Sequence, residues 1–194
     1  MNFKEFIQHE RKLDKVIRFS AHPRVKDQTV SQHIFHVSLY AMVLADLERQ
    51  NGNEVNVEEV LRGALLHDLE ESLTGDIIYD FKHRDEHMAR QIKEMGKQFL
   101  EQIVGNLPEE ISTRYTLLWQ DAKNERIEGK ILKAADKLEA LAYCEEEIRI
   151  GNKYFERIAG KLKEELKGLR MKSVDSVLQN WETADAKIEA DKNG

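Results

Sequence analysis

Apolar residues recur at helical spacing along most of this chain. The clearest stripe follows Thr29 and Gln32, which have the spacing of a capping box at a helix start. Five apolar residues then repeat every three or four positions and share one face of a predicted helix: Val30, Ile34, Val37, Ala41 and Leu44. His33 lies on this apolar face. Similar patterns predict helices over about 57–71, 84–104, 125–148, 154–169 and 174–187, and another that has Pro108 in its first turn.

The composition is typical of a protein built from long helices. Only two prolines and ten glycines occur in 194 residues, and 41% of the residues are hydrophobic. This content is enough for one good core, and no linker, repeat or low-complexity tract divides the chain. We therefore expect a single all-α domain over residues 1–194, with a motif-bearing core at about 10–155 and C-terminal helices at about 154–187.

Charge and apolar content exclude several classes of partner. The formal net charge of −6 disfavours binding to a nucleic-acid polymer but permits a local basic pocket for a small phosphate. The N-terminus lacks the apolar core of a signal peptide, and no segment approaches the roughly 20 apolar residues that span a bilayer. We expect a cytoplasmic protein with no membrane partner. The single cysteine, Cys144, falls in a helical stretch and is expected to be buried rather than nucleophilic.

Two histidines and two aspartates are the strongest candidates for chemistry. His67 and Asp68 follow an apolar run, His33 lies on the earlier apolar face, and Asp136 lies within a predicted helix. Imidazole and carboxylate together suit Mn, Fe, Co, Ni or Zn better than Mg or Ca. An aspartate among apolar neighbours is costly to bury unless its charge is compensated, for example by a metal. The alternatives are a hydrogen-bonded core histidine at position 33 and a buried salt bridge from Asp136 to a lysine of its own helix.

The order and spacing of these residues resemble those of a known family. Four residues match the H…HD…D signature of the HD-domain metal-dependent phosphohydrolases: His33, His67, Asp68 and Asp136. Further motifs resemble those of bacterial 5′-deoxynucleotidases of the YfbR type: Arg18-Phe19, Val30-Ser31-Gln32-His33, His67-Asp68-Leu69-Glu70-Glu71, Leu73-Thr74-Gly75-Asp76 and Lys133-Ala134-Ala135-Asp136. The chain is also similar to the oxetanocin-pathway phosphohydrolase, which acts on nucleotides that carry more than one phosphate. The resemblance implies an HD-domain helical bundle, one divalent transition-metal ion and hydrolysis of a nucleotide phosphoester or anhydride.

The resemblance also implies roles for residues near the metal ligands. Glu71 lies four residues after His67 and corresponds to the glutamate that orients or deprotonates the attacking water. Arg18 corresponds to the arginine that contacts the phosphate, for which a guanidinium fork is well suited. Asp76 corresponds to the aspartate that accepts from a sugar hydroxyl. The alternatives are an exposed helix-end carboxylate, an exposed arginine and a helix N-cap, respectively.

Lys133 and His36 are two further candidates for substrate binding. Lys133 lies one turn before Asp136, and His36 lies one turn after His33. Each could add a phosphate contact. The alternatives are a surface position or an ion pair with Asp136 for Lys133, and a partly buried polar side chain for His36.

Phe19 and the segment after Asp76 depart from the family pattern. Phe19 stands where the deoxynucleotidases carry a tryptophan that packs against the sugar, and residues 77–81 replace a proline-containing loop. Phenylalanine is smaller than tryptophan and lacks the indole donor. We therefore expect a roomier pocket that accepts ribose as well as deoxyribose, and two or three phosphates as well as one.

The function expected from the sequence is removal of phosphate from the 5′ end of nucleotides, deoxynucleotides or analogues by metal-activated water. The alternative is a nucleotide-binding regulatory module, or a partner subunit that assists another nucleotide-modifying enzyme. A homodimer and a pathway enzyme are the candidate protein partners, since related nucleotidases are commonly dimers.

Overall fold

The described part of the protein is built from helices that loops connect. The computed structural model describes residues 1–77, 81 and 84–192. Its helices are α1 (Phe3–Glu10), α2 (Val30–Gln50), α3 (Val57–Leu66), α4 (Glu71–Thr74), α5 (Glu86–Val104), α6 (Glu109–Asp121), α7 (Ile127–Arg149), α8 (Glu156–Gly168) and α9 (Lys172–Lys192). The predicted all-α fold is confirmed. In the part of the chain that is described, none of these helices combines the length and apolar character needed to cross a membrane.

Helices α2 and α7 pack against each other at the centre of the core. Their buried apolar residues, among them Val37, Leu44 and Leu141, form one cluster that α3, α8 and α9 complete. A second cluster joins the start of α2 to α5. His33 lies between Val30 and Ile34 of the second cluster, one turn before Val37 of the first, and is itself fully buried. Cys144 is also fully buried, as predicted.

The predicted capping box at the start of α2 is present. The Thr29 side chain accepts from the backbone N–H of Gln32, and the Gln32 side chain accepts from the backbone N–H of Thr29. This pairing satisfies two donors that would otherwise be left without partners at the helix start. Pro108 was expected inside the first turn of a helix, but it immediately precedes α6.

The helix predicted over residues 57–71 is interrupted, which corrects the sequence-based expectation. Helix α3 ends at Leu66, a turn follows, and Glu71 begins the short helix α4. His67 Nδ1 lies 2.7 Å from the backbone oxygen of Ala64, so the imidazole uses a carbonyl near the helix end. The next backbone hydrogen bonds span three residues, which tightens the chain into turns. His67 and Glu71 therefore lie on either side of a break and not on one helical face.

The loop of residues 17–29 crosses from α1 to α2 and is held at two places. Ile17 and Thr29 form an isolated antiparallel bridge at its ends. Further along, the buried carboxylate of Glu147 accepts from the backbone N–H groups of Val25, at 2.9 Å, and Lys26, at 2.6 Å. These contacts place Arg18 and the following residues against α7.

Candidate metal centre

Two imidazoles and a carboxylate converge where α2 meets the turn after α3. Ligand atoms of His33, His67 and Asp68 all lie within 4.8 Å of one another. Asp68 Oδ2 is 3.0 Å from His67 Nε2 and 3.5 Å from His33 Nε2. Both Nε2 atoms are buried, and neither has a hydrogen-bond partner among the described residues. A buried nitrogen without a partner is costly, so these two atoms indicate a ligand position.

The other nitrogen of each imidazole contacts an acceptor. His33 Nδ1 lies 2.5 Å from Glu139 Oε2, and His67 Nδ1 lies 2.7 Å from the carbonyl of Ala64. When Nδ1 carries the proton that these acceptors bind, Nε2 keeps its lone pair for a cation. This arrangement is the usual one for metal-binding histidines, because the hydrogen bond selects the tautomer and orients the ring.

Asp136 reaches the same group from α7. Its Oδ1 is 3.3 Å from His33 Nε2, while its Oδ2 is 2.5 Å from Lys123 Nζ. The salt bridge considered from the sequence therefore exists, but its partner is Lys123, which lies before α7, and not a lysine of the same helix. Asp136 thus adds a second carboxylate beside His33.

Glu139 is a residue of the site that the sequence analysis missed. It lies one turn after Asp136 on α7, is almost completely buried, and binds three groups. Besides His33, its carboxylate accepts from Arg18 Nη1 at 2.8 Å and from Gln28 Nε2 at 2.5 Å. The only local signal is a glutamate within the apolar run of α7. Its partners lie on α2 and in the 17–29 loop, far from Glu139 in the sequence. Sequence spacing therefore does not predict these contacts.

The charged side chains strongly shift one another's pKa. Burial and Arg18 act to lower the pKa of His33, but the nearby carboxylates of Asp136, Asp68 and Glu139 outweigh them and raise it to about 10. Burial opposes ionisation of Asp68, but the charges of His67 and Lys123 hold its pKa well below the usual value. For Asp136, Lys123 and His33 likewise overcome burial and keep its pKa well below normal. Without a metal, both aspartates are therefore anionic and His33 is protonated, so a bound cation would displace the Nε2 proton of His33.

The donor set fits a transition-metal ion. Two imidazole nitrogens and two anionic carboxylates match the borderline ligands that Mn, Fe, Co, Ni and Zn accept. Two buried Nε2 atoms without a hydrogen bond indicate where the ion would bind, and the acceptors at Nδ1 orient both rings toward that position. The residues present therefore fit a metal centre formed by His33, His67, Asp68 and Asp136.

Glu71 lies beside this centre and is buried at the start of α4. Burial first, and then repulsion from Asp68, Asp76 and Glu70, raise the pKa of its carboxyl well above the usual range. A carboxylate made more basic in this way is suited to accept a proton from a neighbouring water.

A cavity of about 370 Å³ opens over the centre. Asp68, Asp136 and Glu71 lie on its wall together with three predicted substrate residues, Arg18, Phe19 and Asp76, and with several cationic side chains of α7, α8 and the loop before α7: Lys123, Lys137, Arg157 and Lys161. The structure thus brings the candidate ligands, Glu71 and these three substrate residues to one place.

Arg18, Phe19 and Asp76 contact one another or common partners. The guanidinium carbon of Arg18 lies 5.2 Å from the ring centroid of Phe19. The Phe19 ring also stacks on Tyr143, with centroids 4.9 Å apart. The backbone N–H of Phe19, at a φ of 54°, donates to Asp76 Oδ2 at 3.0 Å. Burial raises the pKa of Asp76, although Arg18 and this hydrogen bond oppose the shift. Asp76 thus orders the cavity wall through Phe19.

Two predicted substrate residues are not brought to the cavity. Lys133 Nζ is 2.5 Å from Glu125 Oε1, on the surface, and does not pair with Asp136. His36 packs beside Phe35 and Tyr40 and is not part of the cavity wall. Within residues 77–81, Ile77 lines the cavity, whereas residues 78–80 lie outside the described part of the chain.

Solved structures with this fold identify the class of protein. An HD-domain phosphohydrolase from Listeria innocua is 26% identical, with a TM-score of 0.82, and the likeness covers 92% of this chain and 87% of that chain. A predicted metal-dependent phosphohydrolase from Magnetospirillum magnetotacticum is 20% identical, with a TM-score of 0.64 and coverage of 92% and 90%, and shows the shared fold. With the His and Asp cluster, these likenesses define an enzyme of the HD-domain phosphohydrolase class.

Sequence comparison is more specific. The family model described as 5′-deoxynucleotidase YfbR-like matches residues 5–183, and the chain belongs to this family. A relative named 5′-deoxynucleotidase from Pectobacterium atrosepticum is 30% identical over 167 residues, which cover 86% of this chain and 84% of that protein. Another, from Photorhabdus laumondii, is 29% identical over 171 residues, with coverage of 88% and 87%.

Proposed function

We propose that this protein removes phosphate from the 5′ end of nucleotides and deoxynucleotides. The observation that carries the proposal is the pair of buried Nε2 atoms of His33 and His67, which face two carboxylates at the wall of a cavity with cationic side chains. The relatives named 5′-deoxynucleotidase support a nucleotide as the substrate. Cytoplasmic location, a single domain, a homodimer and a pathway enzyme as partner stay predictions from the sequence.

His33, His67, Asp68 and Asp136 would hold one divalent transition-metal ion, with cobalt and manganese as the first candidates. Such an ion supplies Lewis acidity toward a phosphate oxygen and lowers the pKa of water. Glu139 keeps the His33 ring in place through Nδ1, at 2.5 Å. Because Glu139 also binds Arg18, the same carboxylate positions both a metal ligand and a phosphate contact.

Glu71 orients the attacking water and takes its proton. Its place on the cavity wall, next to Asp68, and its raised pKa support this role. The Arg18 guanidinium binds the phosphate that is attacked, since its two contacts to Glu139 and Gln28 both use Nη1 and leave Nε and Nη2 to donate. Asp76 accepts from a sugar hydroxyl through the carboxylate oxygen that Phe19 does not use.

The substrate range extends to ribose and to two or three phosphates. Phe19 is smaller than the tryptophan of the resembled enzymes, and its position against Tyr143 keeps the ring at the cavity wall. The cationic residues for the added phosphates are Lys137, Arg157 and Lys161 of the cavity wall, and not Lys133 or His36. Lys137 also pairs with Glu165, so an added phosphate would compete with that carboxylate.

Metal analysis and a phosphate-release panel test this proposal. Protein loaded separately with Mn, Fe, Co, Ni or Zn is assayed on AMP, dAMP, ADP, dADP, ATP and dATP, with Glu71→Gln as the matched variant. We expect release that requires metal and Glu71, and that includes ribonucleotides and at least one di- or triphosphate. Activity confined to deoxynucleoside monophosphates would contradict the broad range. No release from any nucleotide by metal-replete protein would instead favour the regulatory module or partner subunit.

A further inference from the structure

Lys123 differs from two other lysines near Asp136 in the sequence or at the cavity, Lys133 and Lys137, in the carboxylate that it contacts. It lies in the loop between α6 and α7, and its Nζ is 2.5 Å from Asp136 Oδ2. Lys137 pairs instead with Glu165, and Lys133 with Glu125, neither of which is a candidate ligand. Of these three lysines, Lys123 is therefore the one whose partner carboxylate also faces His33.

A divalent ion held by Asp136 would change the surroundings of Lys123. The carboxylate would then contact two cations, the metal ion and the Lys123 ammonium, which repel each other at short range. An anion that touches both cations relieves this repulsion. A phosphate group has several anionic oxygens and can contact a metal ion with one and an ammonium with another.

We propose that Lys123 is a phosphate-binding residue of this enzyme, whose ammonium passes from Asp136 to an oxygen of the bound phosphate. The inference rests on the proposed function, because it needs the metal and the phosphoester in this cavity. The flexible four-carbon stem of lysine permits such a shift, and Lys123 already lies on the cavity wall with Asp68 and Glu71. Arg18, which Glu139 holds, and Lys123, released from its contact with Asp136, then supply two separate cations to one phosphate.

A purely structural role is the competing explanation. Lys123 would then only neutralise Asp136, and its removal would change metal retention or stability without a specific effect on phosphate. The matched control is Lys163, whose Nζ lies 2.7 Å from Glu145 and whose side chain is 30% exposed, close to the 36% of Lys123. Lys163 is not part of the cavity wall.

The experiment measures binding of inorganic phosphate to metal-loaded full-length protein by titration calorimetry, together with metal content. Lys123→Met should weaken phosphate binding roughly tenfold to hundredfold with unchanged metal content, because a charge-assisted hydrogen bond is lost. Lys123→Arg should keep most of the affinity, and Lys163→Met should stay within about twofold of the parent protein. With nucleotide as substrate, Lys123→Met should raise KM more than it lowers kcat.

Two results would overturn the assignment of Lys123. One is phosphate affinity in Lys123→Met equal to that of the parent protein at equal metal content. The other is loss of metal with unchanged phosphate affinity in the metal-loaded fraction. If Lys123→Met does not fold, Lys123→Gln replaces it, since an amide still donates to Asp136 but carries no charge. A parent protein that retains metal but binds no phosphate would count against the proposed function itself.

Discussion

Two sets of buried carboxylates differ in what they bind. The metal-centre carboxylates are Asp68, Asp136 and Glu139, and the anchoring carboxylates are Glu48 near the end of α2 and Glu147 near the end of α7. Glu139 and Glu147 both lie on α7 and are similarly buried, with residue exposures of 2% and 0%. Burial therefore does not distinguish a carboxylate of the site from one that stabilises the fold.

The anchoring carboxylates accept from neutral donors. Glu147 binds the backbone of Val25 and Lys26 and the side-chain amide of Asn152. Glu48 accepts from the backbone N–H and the hydroxyl of Ser173, at 3.1 and 2.5 Å, and from the amide of Asn53. These contacts tie a loop or helix start to the core.

The metal-centre carboxylates contact groups that are titratable or cationic. Asp136 lies between His33 and Lys123, and Glu139 lies between His33 and Arg18. The adjacent Nε2 atoms make no hydrogen bond among the described residues, although carboxylate oxygens lie 3.0 to 3.5 Å from them. The two sets therefore differ in the chemical type of their partners and in the unsatisfied nitrogens that lie beside the first set.

Removal of Asp136 should have the largest effect. We expect Asp136→Ala to lose the metal and to reduce phosphate release to background, because one ligand disappears and Lys123 is left without its counter-charge. Metal analysis after gel filtration and a phosphate-release assay measure this. Full metal occupancy with near-normal turnover would remove Asp136 from the site.

Glu71→Gln should separate metal binding from turnover. The variant keeps the shape of the side chain but cannot accept the proton of water, so kcat should fall by roughly 10² to 10⁴ while metal content stays the same. Steady-state kinetics and metal analysis on one preparation provide the check. A loss of metal would reassign Glu71 as a metal ligand or as a support of one.

Glu139→Gln tests most directly whether Glu139 acts differently from the anchoring carboxylates. The change removes the charge that holds His33 and Arg18, so metal affinity should fall roughly tenfold to hundredfold. Competition with a chelator measures this affinity. The comparison would fail if the variant bound metal as tightly as the parent protein and differed only in thermal stability.

Glu147→Ala should show the opposite pattern. Loss of its hydrogen bonds leaves buried backbone donors without partners and should lower the free energy of unfolding by about 2–4 kcal/mol, with metal affinity unchanged. Chemical denaturation of the metal-free protein gives this value. The neighbouring Glu146, exposed and paired with Lys26 at 2.5 Å, is the control, and Glu146→Ala should change stability by about 0.5 kcal/mol or less.

Lys133→Met should have the smallest effect. Its ion pair with Glu125 lies at the surface, where the glutamate side chain is 84% exposed, so we expect KM and kcat within about twofold of the parent protein. A KM increase of roughly tenfold or more for nucleotides would restore Lys133 as the phosphate contact considered from the sequence.

Much of the fold could be predicted because its signals are local. The apolar stripe of α2 and its capping box depend on residues a few positions apart, and both are present. The break after Leu66 could not be predicted from periodicity, because it accompanies a contact between the His67 side chain and the Ala64 carbonyl. The apolar pattern continues across this position even though the helix does not.

The proximity of the candidate ligands could be predicted from residue types together with the order and spacing that resemble the family. His33, His67 and Asp68 do converge, and Asp136 lies beside them. Glu139 and Lys123 were missed because their roles depend on tertiary contacts between α7 and segments before it. Lys133 is nearer to Asp136 in the sequence than Lys123 is, but it pairs with Glu125.

The 17–29 loop has a consequence for how such an enzyme can diversify. It is closed at its ends by the Ile17–Thr29 bridge and held at Val25 and Lys26 by Glu147, while Ser20, Ala21 and His22 line the cavity between these ties. The metal-ligand candidates lie on helices or helix ends outside the loop. Residues 20–22 therefore line the cavity without supplying a candidate metal ligand, so substitutions there can change the shape of the cavity while the candidate ligands stay in place.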